Sequence, residues 1–232
     1  MKIFILAGGF GTRLKSVVSD VPKPMAPIID KPFLEYQIEL IRKYFKDAEI
    51  YLLTYYLSDI IKDYFTDDKL VTIIKEEEPL GTGGSIKHAI EYLDLDMNDS
   101  ILVFNGDTFI EPELTQMITN KSHDILILGS LQEDCDRYGT LELNGESIVR
   151  FLEKKDGVRN SYINAGCYYF NTLSFFENIE DRSFSVEEEF TKYLRLNNSI
   201  GIFKYNGVFI DIGIPKDYKK MISYINGIKL NE

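Results

Sequence analysis

The chain has 232 residues, of which 44% are hydrophobic and 27% are charged. This length and composition are typical of a globular fold with its own core, and they exclude a disordered, collagen-like or disulfide-scaffold chain. The formal net charge is −11. We therefore expect neither nucleic acid nor an anionic membrane as a partner, because a negative surface repels phosphodiesters.

Apolar periodicity predicts alternating strands and helices through about residue 130. Strands buried on both faces of a parallel sheet are predicted for five short apolar runs, at residues 3–7, 50–54, 70–74, 101–105 and 125–129. Three- and four-residue spacing predicts helices over 33–44 and 85–93. With right-handed crossovers, these elements form an α/β fold with a doubly wound, mostly parallel, Rossmann-like sheet that binds ligands at the carboxyl ends of its strands.

The pattern changes after residue 130. Strand-like runs separated by turn-rich segments occupy residues 139–143, 148–152 and 162–170. They predict an antiparallel hairpin sub-lobe added to the edge of the sheet. A last helix is predicted after Pro215, a residue that fits the first helical turn.

The cysteines and the apolar runs bear on the compartment. Cys135 and Cys167 are far apart in the sequence, which favours free thiols in a reducing compartment over a disulfide or a zinc site. The first apolar run is too short for a signal-peptide core, and no run approaches the ~18 residues of a membrane span. We expect a cytoplasmic protein without a membrane partner. A homo-oligomer is compatible with these features, although none of them predicts one.

A glycine-rich loop follows the first predicted strand, in a basic part of the chain. Residues 1–31 carry a charge of +3, which leaves −14 on the other 201 residues. The loop, Leu6-Ala7-Gly8-Gly9-Phe10-Gly11-Thr12-Arg13, offers backbone N–H groups and a guanidinium to a phosphate. Prolines on both sides restrict Lys23, so its ammonium can be held towards this loop. The loop has neither the Gly-Lys-Ser/Thr end of a Walker loop nor the spacing of dinucleotide folds.

Two aspartates are candidates for one charged site. Asp107 follows the run 101–105 and Asp211 follows the run 207–210, so both can reach one crevice in an α/β layer structure. Mg²⁺ commonly takes only one or two protein carboxylates, with phosphate and water oxygens completing the octahedron. Either aspartate alone is better explained as a turn residue.

Six sequence blocks, in order along nearly the whole chain, resemble the signature of the sugar-1-phosphate nucleotidylyltransferases. They are Leu6 to Arg13 with Pro22-Lys23-Pro24-Met25, Leu80-Gly81-Thr82-Gly83-Gly84, Asn105-Gly106-Asp107, Glu153-Lys154, Asn164-Ala165-Gly166 and Asp211-Ile212-Gly213. The segment 17–27 looks most like the bacterial D-glycero-α-D-manno-heptose 1-phosphate guanylyltransferases. The resemblance implies transfer of a nucleoside monophosphate from a nucleoside triphosphate, with GTP favoured, to a sugar 1-phosphate, with release of pyrophosphate.

The resemblance also implies roles for individual residues. Catalytic roles fall to Arg13, Lys23 and Asp107, and Mg²⁺ would be bound by Asp107 and Asp211. The expected nucleotide contacts are Leu6, Ala7, Gly8, Gly9, Gly11, Thr12, Arg13, Lys23, Gly81, Gly83 and Asp107. The expected sugar-phosphate contacts are Glu153, Lys154 and Asn164, with Tyr138 and Gly139 beside them. One domain over 1–232 would then comprise a nucleotide-binding core (1–130), a sugar-binding sub-lobe (131–206), and a metal-binding strand with the final helix (207–232).

The loop Glu76-Glu77-Glu78-Pro79-Leu80-Gly81 is predicted to read the base, because it follows the third strand beside the glycine loop. Guanine offers two adjacent donors, N1–H and the 2-amino group, to a carboxylate or to backbone carbonyls. We interpret Glu76 and Glu77 as a solvated loop, and Glu78, braced by Pro79, as the base-binding candidate. The alternative is a uridylyl- or cytidylyltransferase that acts on another sugar 1-phosphate.

Two other classes of protein fit less well. A nucleotide-sugar sensor without turnover would be free to lose Lys23, Asp107 or Asp211, and all three are present. A nicotinamide-dependent dehydrogenase does not match the glycine loop. Covalent catalysis is unnecessary because a sugar 1-phosphate oxygen is already an anionic nucleophile, so alignment and charge neutralisation are the main tasks.

Overall fold

Strands and helices alternate along the first half of the chain in the computed structural model, which describes residues 1–14, 16–111 and 114–229. The strands are β1 (Lys2–Leu6), β2 (Pro27–Ile28), β3 (Lys31–Pro32), β4 (Glu49–Thr54), β5 (Val71–Lys75), β6 (Ile101–Asn105), β7 (Thr108–Ile110), β8 (Ile125–Asp134), β9 (Thr140–Asn144), β10 (Ser147–Leu152), β11 (Arg159–Phe170), β12 (Ile200–Tyr205) and β13 (Phe209–Asp211). The helices are α1 (Phe33–Tyr44), α2 (Ser58–Tyr64), α3 (Gly81–Tyr92), α4 (Thr115–Thr119), α5 (Val186–Arg195) and α6 (Pro215–Lys229).

The central sheet is mixed. Its nine strands follow the order β5-β4-β1-β6-β11-β8-β12-β10-β9. The first four are parallel to one another, and β12 is parallel to β8. The pairings of β11 with β6 and β8, and of β10 with β12 and β9, are antiparallel. Strand β11 also pairs antiparallel with β9, so antiparallel pairings outnumber parallel ones by five to four in this sheet. The predicted α/β class is confirmed, but the sheet is not mostly parallel.

The antiparallel strands do not all lie at the edge of the sheet, which corrects the sequence-based prediction. Strand β11 stands between β6 and β8, whereas the β9–β10 hairpin does lie at an edge. The stretch from Cys167 to Phe170 pairs with strands on both sides and is buried. Strand β8 crosses residue 130, and β12 returns beside it. Both halves of the chain therefore build one continuous sheet.

Apolar side chains cover both faces of this sheet. In β1, Ile3 and Ile5 belong to a core cluster with α1, α2 and α4, while Phe4 belongs to a cluster on the other side with α3 and α5. This alternation follows from the two-residue period of a strand. A third cluster joins α1 and α6 to the small β7–β13 sheet. Because both faces are packed, the carboxyl ends of the parallel strands are held in a fixed arrangement.

Most predicted elements are confirmed, and the structure contains several further elements that were not predicted. The strands predicted from apolar runs and the helices over 33–44 and after Pro215 are present, with shifts of a few residues at some ends. Helices α2, α4 and α5 and strands β2, β3, β7 and β12 were not predicted. Helix α5 begins where Ser185 Oγ accepts a hydrogen bond from the Glu188 N–H at 3.3 Å, a helix N-cap that the sequence analysis overlooked.

Both cysteines are free, as predicted, and the structure buries both of them. Burial raises the pKa of the Cys167 thiol, which keeps that group protonated. Among the residues that the structure describes, no helix is both long and apolar enough to cross a membrane.

Candidate active site

The candidate site lies where the parallel strands end. Strands β1, β4, β5 and β6 run in the same direction, and their carboxyl ends lead to the segments that carry Gly8, Tyr55, Glu76 and Asp107. A cavity of about 380 Å³ opens between these segments. The predicted crevice at the carboxyl ends is therefore present.

Most of the predicted nucleotide-binding residues line this cavity: Leu6, Gly8, Gly9, Gly11, Thr12, Arg13, Lys23, Gly81 and Asp107. Ala7 and Gly83 are buried outside the lining, Gly83 against the ring of Phe184. The side chain of Glu78 is 61% exposed and lies 3.6 Å from Arg182, and it does not line the cavity either. The structure therefore does not place Glu78 in the cavity that the glycine loop lines.

The glycine loop is packed against the turn that carries Lys23. Gly11 has φ +58°, and a Cβ added there would lie 2.9 Å from the Lys23 Cβ. Only glycine meets both demands without strain. Lys23 lies between Pro22 and Pro24 and begins a 3₁₀ turn, Lys23–Met25. Its side chain is 10% exposed. The prolines and the glycine together orient the ammonium into the cavity, as predicted.

The pairing of β13 with β7 brings the two aspartates together. In the small sheet, β13 is antiparallel to β7, and Asp211 stands opposite Thr108. The next residue, Ile212, donates its N–H to the carbonyl of Asp107 at 3.0 Å. Lys23 Nζ forms an ion pair with Asp107 Oδ2 and lies 3.6 Å from Asp211 Oδ1. The two carboxylates therefore converge on a single positive charge.

Because Asp211 is largely buried, its negative charge depends on nearby positive charges. The side chain of Asp211 is 16% exposed, and burial together with the negative charge of Asp107 raises its pKa. Lys23, the Gly213 N–H at 2.7 Å and Arg137 oppose that rise. Two carboxylates directed at one cation are a donor set that suits Mg²⁺. The described residues contain no group of three or more His, Cys, Asp or Glu arranged to hold a metal, so phosphate or water oxygens would complete the coordination.

A second cavity, of about 280 Å³, adjoins the same cluster. Asp211 lines it, and Arg13 lines both cavities. Of the predicted sugar-phosphate contacts, Tyr138, Gly139, Lys154 and Asn164 are in its wall. Glu153, which directly follows the end of β10 at Leu152, is exposed and does not line the cavity, although its neighbours Leu152 and Lys154 do.

Glu76 is a site residue that the sequence analysis misinterpreted. It is 5% exposed and lines the first cavity rather than belonging to a solvated loop. Its Oε1 accepts a hydrogen bond from Ser85 Oγ at 2.6 Å, and its Oε2 accepts one from the Leu80 N–H at 3.2 Å. Burial raises the pKa of this carboxyl. The two-residue alternation of β5, inward at Ile74 and again at Glu76, was the signal that could have identified it.

Glu187, on α5, is a second residue that was missed. Its Oε2 accepts a hydrogen bond from Thr82 Oγ1 at 2.8 Å, and its Oε1 accepts one from Tyr168 Oη at 3.1 Å. Asn164 Nδ2 in turn donates to Tyr168 Oη at 3.1 Å. Thr82 lines the first cavity, and Glu187 and Asn164 line the second. Glu187 therefore links the walls of the two cavities.

Comparison with known proteins agrees with this arrangement. Residues 2–226 match the sequence model of the nucleotidyl transferase family. The chain is 40% identical to D-glycero-α-D-manno-heptose 1-phosphate guanylyltransferase from Campylobacter jejuni, covering 94% of this chain and 97% of that protein. It is 37% identical to the enzyme of the same name from Aneurinibacillus thermoaerophilus, covering 95% and 96%.

A solved structure gives the same result in three dimensions. HddC from Yersinia pseudotuberculosis, in a crystal structure with GMP-PN, superposes with a TM-score of 0.84 at 35% identity, covering 97% of this chain and 99% of that chain. The ordered motifs, the cavity at the carboxyl ends of the strands and these similarities lead to one conclusion. The chain belongs to the nucleotidyl transferase family, as a sugar-1-phosphate nucleotidylyltransferase most similar to the bacterial heptose 1-phosphate guanylyltransferases.

Proposed function

We propose that the protein transfers GMP from GTP to D-glycero-α-D-manno-heptose 1-phosphate and releases pyrophosphate. The observation that carries this proposal is the Asp107–Lys23–Asp211 cluster at the junction of two cavities. The cavity with the glycine loop would take the nucleotide, and the cavity beside β9 would take the sugar phosphate. The names of the two relatives support the choice of heptose, and the GMP-PN complex of HddC supports the choice of guanine nucleotide.

The reaction needs no covalent intermediate. An oxygen of the sugar 1-phosphate attacks the α-phosphorus of GTP, the new O–P bond forms, and the bond from the α-phosphorus to the bridging oxygen breaks. Pyrophosphate leaves with that electron pair. Because the nucleophile is already an anion, no base has to remove a proton. The protein has to align the two phosphates and offset their repulsion.

The cations of the cavity wall offset the repulsion between the phosphates. The glycine-loop N–H groups and Arg13 would bind the phosphates that leave as pyrophosphate. Lys23, which Asp107 and Asp211 hold in place, would neutralise charge on the reacting phosphates. Arg13 borders both cavities, so its guanidinium is placed between donor and acceptor. Asn164, Lys154 and Tyr138 would contact the sugar phosphate.

We propose Mg²⁺ as the cofactor, held by the carboxylates of Asp107 and Asp211. The ion would neutralise phosphate charge and act as a Lewis acid at phosphoryl oxygens. The supporting observation is that both carboxylates already point at one positive charge, the Lys23 ammonium.

For the base, we propose Glu76 in place of Glu78. A carboxylate has about four lone-pair sites, and Ser85 and Leu80 occupy two of those on Glu76. The remaining two match the adjacent N1–H and 2-amino donors of guanine. Uracil offers one ring donor, so it would leave one acceptor of a buried carboxylate unsatisfied.

We propose further that the four parallel strands, with helices on both sides, act as a doubly wound, Rossmann-like nucleotide-binding unit. The segment 131–206 would supply the sugar-binding wall. The two buried free thiols support placement of the reaction in the cytoplasm.

The substrates can be tested with the purified protein. Pyrophosphate release is measured for the four nucleoside triphosphates, each combined with several sugar 1-phosphates. We expect release only when both substrates are present, and a catalytic efficiency for GTP about 10⁴-fold above that for UTP, because an unpaired buried polar group is costly. Equal efficiency with UTP or CTP would contradict the guanylyl assignment. No release with any pair would contradict the transferase assignment.

Asp107→Asn and Asp211→Asn test the charge cluster. Each change keeps the side-chain shape and removes a negative charge, and we expect kcat to fall about 100-fold or more, because the lost electrostatic stabilisation is several kcal/mol. Asp136→Asn is the control, since Asp136 pairs with Arg159 on the exposed β8–β11 side. Turnover above one tenth of the wild-type value at saturating Mg²⁺ would overturn the role of either aspartate.

Glu76→Gln tests the base contact. We expect the GTP-to-UTP ratio of kcat/KM to fall about tenfold to 100-fold, since a hydrogen bond to a charged group contributes about 1.5–3 kcal/mol. Glu78→Gln is the matched control and should leave the ratio unchanged, because that side chain is exposed. An equal loss of efficiency with both nucleotides would instead indicate that Glu76 only supports the loop.

A further inference from the structure

An arginine stands close to Asp211 without forming a tight pair with it. Arg137 lies between β8 and β9, and its Nη1 forms an ion pair with Asp217 Oδ2. Its Nη2 is 3.8 Å from Asp211 Oδ2. The guanidinium also lies over the ring of Tyr138, 5.2 Å from the centroid. The arginine is thus held by Asp217 and only approaches Asp211.

Asp217, the partner of Arg137, has a well-defined place in the fold. It lies in the first turn of α6, where a negative charge is favourable beside the helix N-terminus. Its N–H donates to the carbonyl of Ile214 at 3.1 Å. Its side chain is 16% exposed, against 35% for Arg137. The carboxylate is therefore the more buried partner of the pair, and the ion pair with it positions the guanidinium.

The charges alternate in sign across the site, in the order Asp107, Lys23, Asp211, Arg137, Asp217. The first two residues line the nucleotide cavity, and Arg137 and Asp211 line the acceptor cavity. Asp217 ends the row and lies in neither lining. Because Asp217 balances the charge of Arg137, the negative charge of Asp211 stays available to Lys23 and to a substrate-bound cation.

We propose that Asp217 is a positioning residue for the reaction: it restrains Arg137 and so prevents the guanidinium from neutralising Asp211. The inference rests on the proposed function. If Asp217 loses its charge, Arg137 keeps its own, and the nearest carboxylate that remains for it is that of Asp211 at 3.8 Å. A bidentate arginine–carboxylate pair is among the stronger contacts that a protein forms. Closing that short gap would occupy the oxygens that the reaction needs.

A positioning role and a merely structural role differ in which property the double variant recovers. Removing Arg137 together with Asp217 restores the net charge around Asp211 and removes the competitor. The double variant should therefore be more active than Asp217→Asn alone. If the pair only stabilised the fold, the second substitution would change the free energy of unfolding by relieving an unpaired Arg137, while kcat and Mn²⁺ binding of the folded variants would stay at the wild-type level throughout.

The experiment compares the wild type with Asp217→Asn, Arg137→Met and the double variant. Asp217→Ser serves as a second uncharged replacement, and circular dichroism checks folding. The matched control is Asp68→Asn, which weakens the Arg42–Asp68 pair, a similarly half-buried arginine–aspartate contact outside both cavities. The readouts are kcat, the KM for each substrate, and Mn²⁺ binding to the protein alone by electron paramagnetic resonance.

We expect Asp217→Asn to lower kcat and to weaken Mn²⁺ binding, each by about tenfold to 100-fold, as is usual when a residue that orients a metal ligand is changed. The KM for GTP should stay within about threefold, since Asp217 does not line the nucleotide cavity. The double variant should recover at least about tenfold of the loss in both readouts, and Asp68→Asn should match the wild type.

Two outcomes would overturn the proposal. One is wild-type kcat and Mn²⁺ binding in Asp217→Asn or Asp217→Ser, and the other is a double variant no better than Asp217→Asn. Wild-type protein that transfers no nucleotide at all would instead refute the proposed function, and this inference with it. The wild-type measurement therefore separates the two failures.

Discussion

Two partly buried carboxylates that face each other need a cation between them, and much of this structure serves to meet that need. Asp107 and Asp211 come from different parts of the chain, and the register of β13 on β7 places them side by side. Lys23 supplies the charge. Its place depends on the prolines that flank it and on Gly11, whose missing side chain lets the glycine loop lie against it. Without a positive charge, like charges at this separation would repel strongly in a partly buried setting.

The same cluster explains why the two cavities meet where they do. The nucleotide cavity ends at Asp107 and Lys23, and the acceptor cavity begins at Asp211, with Arg13 common to both. Two phosphates brought to this junction are each close to a cation, which offsets their repulsion and aligns them for direct transfer. Glu187 links α3 to the wall of the acceptor cavity through its hydrogen bond with Thr82, and Asp217 restrains Arg137.

Much of this arrangement was predictable from the sequence, because buried parallel strands and their glycine-rich ends leave strong local patterns. The sequence motifs alone indicated that Asp107, Lys23 and Asp211 belong to one site. The predictions that were wrong concern the placement of strands and side chains in the tertiary structure, which local sequence patterns do not determine. Whether β11 lies at an edge or inside the sheet depends on partners far away in sequence. Glu76 and Glu78 are the same residue type two positions apart, so strand alternation does not distinguish them. After β5 ends at Lys75, Glu76 is held inside by Ser85 and Leu80, whereas Glu78 is exposed.

The proposed mechanism places a metal ion and the nucleotide phosphates at Asp107 and Asp211. The most direct measurement is a crystal structure of the protein with Mn²⁺ and a non-hydrolysable GTP analogue, with anomalous scattering used to locate the metal. We expect an anomalous peak within coordination distance of both carboxylates and of the analogue's phosphates, with the glycine loop around the β- and γ-phosphates. A metal bound elsewhere, with neither aspartate as a ligand, would contradict it.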